Sequence, residues 1–231
     1  MAQKLYYINH GASISTEVFR RKKEKMKKKS HISLAKFLID NMDVQDLHEH
    51  RKAFYFGSIL PDLKPSFLTK RHTIDETLFD LIDEIKKITI DYDVNKVING
   101  YFARHLGVIT HYLSDYCTFP HNSMFKGGMR DHIQYEKELK ESLNEYVNRT
   151  DLRMQRNEKF HTPDEIIHII LNTHKEYMKA LKVIKEDIHY IINLCYKVVD
   201  AILLFIEMAI QKFKDGFGNI DDDSFSYSLA K

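Results

Sequence analysis

Apolar residues along this chain recur three and four positions apart, and no stretch of useful length alternates every second residue, so the pattern predicts helices throughout. Ile32, Leu34, Ala35, Leu38, Ile39 and Met42 mark a first helix, with Ser30 placed to cap it and His31 in its first turn. A second helix is predicted from Asp46 to about Ile59. Gly57, Pro61 and Pro65 punctuate its end, which leaves Asp62 in a turn just beyond it. His72 follows in a loop, ahead of a helix marked by Leu78, Leu81, Ile82 and Ile85. Asp93 is placed to cap a central helix whose buried stripe is Val94, Val97, Ile98, Phe102, Leu106, Ile109 and Leu113, and which Pro120 closes. The next helix continues past Glu136 through Leu139, Leu143 and Tyr146. Thr162, Pro163, Asp164 and Glu165 open another. The last, from about Lys185 to Lys214, is apolar around most of its circumference and is expected near the centre of a bundle. The fold class that follows is all-α: a single-domain multi-helix bundle spanning 31–218, preceded by an arm over 1–30 and followed by an acidic tail over 219–231.

Chemistry concentrates between Phe102 and Glu136. His111 and Asp115 lie four apart on one helical face, His121 follows Pro120 in a loop, and His132 and Glu136 repeat the four-residue spacing. Three imidazoles and two carboxylates arranged H-x3-D-x5-H-x10-H-x3-E are the ligand types that zinc takes. Asp115 sits among Leu106, Val108, Ile109, Leu113 and Phe119, and a carboxylate carried into such surroundings needs a partner or a metal. Gly107, one turn before His111, leaves room for a ligand or for a neighbouring helix.

Composition narrows the classes. The 35 Lys and Arg against 33 Asp and Glu leave a formal net charge of +2, which favours neither nucleic acid nor an acidic partner for the chain as a whole. A basic run, Arg20 to Lys29, could meet anionic lipid headgroups or serve as a solvated arm. No aromatic residue interleaves with it, so no stable nucleic-acid partner is expected. Two cysteines, Cys117 and Cys195, are too few for a disulfide framework and wrongly spaced for a thiolate metal site. The N-terminal stretch does not read as a secretory leader and the longest apolar run is short, so a cytoplasmic location is expected, or secretion if the native N-terminus differs.

These residues carry a resemblance to the zinc-dependent phospholipase C family, the all-α catalytic domain of bacterial phosphatidylcholine-hydrolysing enzymes and α-toxins. It covers roughly residues 30 to 140, and the segments SHISLAKFLID, GSILPDL, HYLSD and HIQYE are its most specific pieces. The S1/P1 nucleases have a similar scaffold. The resemblance implies two or three zinc ions: one held by Asp62, His72, His111 and Asp115, a second by His121, His132 and Glu136, a third by His31 with Asp115 bridging. Members complete the third site with an N-terminal Trp, and this chain has no Trp. His10 or another group of the arm is the expected substitute, the alternatives being a trimmed arm or a site reduced to two ions. The implied activity is metal-activated hydrolysis of a phospholipid to a diacylglycerol and a phosphorylated headgroup, with Asp62 orienting or deprotonating the attacking water. An S1/P1-like nuclease, or a metal-stabilised helical protein with a sensing or interaction role, are the alternatives. Phe54, Tyr55, Phe56 and Phe67 could cage a quaternary ammonium headgroup or be ordinary core.

Overall fold

In a computed structural model, residues 29–42, 44–63, 70–149, 156 and 161–218 are described. They form an all-α fold without a strand among them. The helices are α1 (29–41), α2 (Gln45–Glu49), α3 (Arg51–Ile59), α4 (Ile74–Lys87), α5 (Gly100–Tyr116), α6 (Met129–Arg149), α7 (Pro163–Lys179) and α8 (Ile184–Gly218). Short 3₁₀ turns cover Pro61–Leu63, Val94–Lys96 and Phe119–His121. The expected arm, His10, most of the basic run and the tail lie outside the described residues. No described helix is long and apolar enough to cross a membrane.

Helix α5 is the axis of the bundle: it packs against α3, α4 and α8, and Phe102, Leu106, Ile109 and Leu113 are all completely buried. Where α3 crosses it, two glycines face the other helix's backbone. A Cβ on Gly57 would fall 2.0 Å from the Arg104 carbonyl oxygen, and one on Gly107 would fall 2.3 Å from that of Phe54. The space beside Gly107 is therefore filled by a helix and not by a ligand. The expectation that α8 lies near the centre holds for its middle, where Ile191, Ile192, Leu194, Cys195, Val198, Val199, Ile202 and Leu203 are buried against α5, α6 and α7.

Several element boundaries differ from those expected. Helix α1 already includes residue 30, so Ser30 lies inside it and does not cap it. The predicted helix from Asp46 to Ile59 is two, broken at His50, which leaves helical geometry at φ −98°, ψ 18°. Asp93 caps the 3₁₀ turn Val94–Lys96 and not α5. Val97, exposed and at a positive φ of 42°, ends that turn, so the α5 stripe does not include Val94, Val97 or Ile98. Asn99 is the true cap, its side chain accepting from the backbone N–H groups of Tyr101 and Phe102. At the other end α5 stops at Tyr116, ahead of Pro120. Thr162 and Glu165 form the capping box of α7 that the sequence pattern announces.

Candidate metal centre

The ligand-type side chains on the helices lie in line with apolar stripes. On α6, His132 and Glu136 precede Leu139 and Leu143 at spacings of four, three and four, so whatever turns the leucines inward turns the imidazole and carboxylate with them. On α1, His31 stands one turn ahead of Leu34, Ala35 and Leu38. On α5, His111 and Asp115 follow Leu106 and Val108. The N-terminal ends of α1 and α6 meet the C-terminal end of α5, and the 3₁₀ turns bring in Asp62 and His121. His72 joins from the loop before α4. All eight residues converge at one place. His31, Asp62, His72, His111, Asp115, His121 and Glu136 are buried, and His132 is at the rim.

Asp115 is the hub. Its Oδ1 lies 3.5 Å from His31 Nε2, and its Oδ2 lies 3.1 Å from His72 Nδ1, 3.4 Å from His111 Nε2 and 3.4 Å from His121 Nδ1. His111 Nε2 and His72 Nδ1 are 2.9 Å apart, and Asp62 Oδ1 is 3.7 Å from His72 Nδ1 and 3.9 Å from His111 Nε2. On the α6 side Glu136 Oε1 is 2.7 Å from His132 Nε2 and 3.6 Å from His121 Nε2. Donor atoms fall into three groups, each within 4.8 Å: His31, Asp62 and His111; His72, His111 and Asp115; His121, His132 and Glu136. Asp62 thus stands with His31 as well as beside His72, and His111 belongs to two groups.

Three observations test whether this donor set fits zinc. Both carboxylate oxygens of Asp62 are buried with no hydrogen-bond partner, an arrangement that is costly unless a cation meets them. Ligand atoms about 2.0–2.2 Å from a shared ion sit about 3–4 Å from one another, the spacing of most pairs above. Two of the imidazoles, His111 and His31, are also set in the form a ligand needs. His111 Nδ1 lies 2.9 Å from the Ser58 carbonyl oxygen, which can only accept, so Nδ1 carries the proton and Nε2 offers its lone pair to the cluster. Ser114 donates its hydroxyl hydrogen to the His111 carbonyl at 2.8 Å and so accepts from His31 Nδ1 at 3.0 Å, leaving His31 Nε2 facing Asp115. Burial and the neighbouring His31 hold the His111 pKa down to about 3, so the ring is neutral, as a ligand must be. The set fits zinc.

Ser58 and Ser114 escaped the sequence reasoning. Ser114 had a signal, one helical turn after His111, but a backbone carbonyl such as that of Ser58 has none. Of the four aromatic residues, Phe54 is completely buried in the core, Tyr55 packs against the core and Phe56 is 47% exposed. Phe67 lies outside the described residues. Cys117 and Cys195 are free and buried, and burial pushes both thiols up, away from the thiolate form that binds metal. His174 takes no part in the donor groups and is turned to the Tyr116 carbonyl.

Beside the cluster a small cleft is lined by His31, Asp115, His121 and Glu136 together with Leu34, Leu139, Leu143 and Ile191. Comparison with known proteins found a match to one family, described as zinc dependent phospholipase C, over residues 30–183. That span runs past the segments carrying the resemblance and takes in α7. No curated protein and no solved structure matches the chain.

Proposed function

The chain belongs to the zinc-dependent phospholipase C family, and on that premise we propose that it is a zinc-dependent phosphodiester hydrolase of phospholipase C type, cleaving a phospholipid to a diacylglycerol and a phosphorylated headgroup. The observation that carries this reading is the convergence of four imidazoles on the two oxygens of Asp115. His72, His111 and Asp115 would hold one ion, His121, His132 and Glu136 another, and His31 with Asp62 a third, His111 standing within reach of the first and the third. Zinc bound there supplies a hydroxide near neutral pH and positive charge against the phosphoryl oxygens.

The protein's own residues divide the remaining work. Asp115, engaged from both oxygens, sets the separation of the groups around it. Asp62, whose two buried oxygens accept no hydrogen bond and whose Oδ1 faces His72 and His111, orients the attacking water and takes its proton. The apolar side chains that line part of the adjoining cleft, Leu34, Leu139, Leu143 and Ile191, support lipid over nucleic acid. A nucleotide strand needs a basic groove with stacking aromatics, and the cleft lining offers neither. On the same reading the run Arg20 to Lys29 would meet anionic headgroups at the membrane surface.

The test is zinc content by mass spectrometry together with hydrolysis of p-nitrophenyl phosphorylcholine, a short-chain phospholipid and single-stranded DNA. Zinc with turnover of the phospholipid is expected. DNA turnover alone would replace the lipid reading with a nuclease, and zinc without turnover of any substrate would leave a metal-stabilised helical protein.

A further inference from the structure

The first turn of α8 holds an aspartate that the proposed chemistry does not use. Asp187 is wholly buried, 66 residues along the chain from His121, and it collects three hydrogen bonds from three different elements. Its Oδ2 accepts from the backbone N–H of Phe119 at 2.8 Å and from the Tyr135 hydroxyl at 2.7 Å. Its Oδ1 accepts from the Tyr177 hydroxyl on α7 at 2.8 Å. Burial pushes the Tyr135 and Tyr177 hydroxyls up, so both keep the protons they donate.

The places these bonds reach are specific. Phe119 opens the 3₁₀ turn that ends in His121, and Tyr135 is followed directly by Glu136 and preceded one turn earlier by His132. One carboxylate oxygen therefore ties together the two segments that carry His121, His132 and Glu136. The Phe119 and Tyr135 rings, 6.0 Å apart at 65°, pack across the same junction, and Phe125 closes it against the His132 ring at 5.9 Å. The Tyr177 bond leaves in the other direction, toward α7, where no donor group lies. We propose that Asp187 is a positioning residue for the group formed by His121, His132 and Glu136, holding the 3₁₀ turn and α6 at the separation from which all three can reach one ion. This rests on the metal-binding part of the function proposed above, not on the substrate.

The symmetry of the network supplies the control. Tyr135→Phe and Tyr177→Phe each remove one hydroxyl bond to the same buried carboxylate, so a purely structural role predicts the same consequence for both. Positioning predicts a difference. Zinc affinity, read by competition with a chromophoric chelator, should fall roughly tenfold to hundredfold for one ion in Tyr135→Phe and in Asp187→Asn. Tyr177→Phe should lower the melting temperature by a similar amount to Tyr135→Phe and keep wild-type zinc affinity. Measuring affinity on Tyr135→Phe keeps the test open if Asp187→Asn fails to fold. Unchanged zinc affinity in Tyr135→Phe, or an equal loss in Tyr177→Phe, would overturn the assignment, as would a wild-type chain that binds no zinc. A chain that binds zinc with this pattern of loss and hydrolyses no phosphodiester would sink the proposed reaction and leave Asp187's role standing.

Discussion

At the scale of single residues, the centre consists of charges and lone pairs that the surrounding protein leaves for an ion. Asp62 is the clearest instance, because its two buried oxygens accept no hydrogen bond. An uncompensated buried carboxylate costs several kcal/mol, more than a buried neutral amide of the same shape, so Asp62→Asn should stabilise the metal-free protein by about 1–2 kcal/mol. With zinc present the same substitution should lower phosphodiester hydrolysis by about 100-fold or more, the contribution of a positioned base. Denaturant titrations with and without zinc, beside activity, check the pair of signs; destabilisation of the metal-free form would show that Asp62 is satisfied by the protein. His111 gives a second prediction. Its pKa in the fold is about 3 against 6.5 when unfolded, burial being the main cause. Between those values the unfolded chain holds the extra proton, so the metal-free protein loses stability as pH falls from about 6.5 to about 3 and the effect levels off below. Melts of wild type and His111→Gln across that range should show a shallower decline for the variant.

At the scale of elements, the α3–α5 crossing decides where His111 points. The two backbones can approach only because Gly57 and Gly107 lack side chains, and that approach delivers the Ser58 carbonyl to His111 Nδ1. Gly107→Ala gains about 1 kcal/mol of helix propensity, but its methyl would meet Phe54 O at 2.3 Å and Ser58 N at 2.8 Å. Those are backbone atoms that no rotamer change can move, and overpacking of this kind costs about 1–3 kcal/mol or more. Net destabilisation with weakened zinc binding is expected in thermal melts and metal competition. Gly100→Ala, whose Cβ meets nothing closer than 3.9 Å, should be neutral or slightly stabilising. The elements themselves were legible where periodicity and capping chemistry agree, as at the Thr162 box of α7. They were not where a single residue outside the period breaks the chain. His50 carries no Gly or Pro signal, and Val97 is a β-branched residue at positive φ, which its neighbours impose and its own preference opposes. Asn99 before Gly100 did carry a cap signal, obscured by Asp93 six residues earlier.

At the scale of the whole molecule, the ligand set spans positions 31 to 136, and its legibility differed along that span. His111 with Asp115 and His132 with Glu136 announce themselves by helical spacing. Asp62, His72 and His31 have no local pattern and came from resemblance to a family, because a site assembled from three helices, two 3₁₀ turns and a loop leaves no periodic trace at those positions. Of the supports, the Ser58 carbonyl leaves no mark in the sequence, and Ser114 only its place one turn after His111. That assembly predicts how the molecule answers loss of metal. Free zinc at 1,000 times its Kd stabilises a fold by about 4 kcal/mol, a large part of an ordinary domain's stability, so chelation should lower the melting temperature. The loss should not be uniform. Helix α5 is buried against α3, α4 and α8 by apolar contacts that need no ion. The first turns of α6 reach the core through Tyr135 and, further along, Leu139 and Leu143, with His132 and Glu136 facing the cluster. Hydrogen exchange with and without chelator should therefore show residues 129–136 losing protection while 102–113 keep theirs. Equal loss in both segments would mean that the ions hold the core itself, and no loss in either that the cluster's side chains are kept in place by the protein alone.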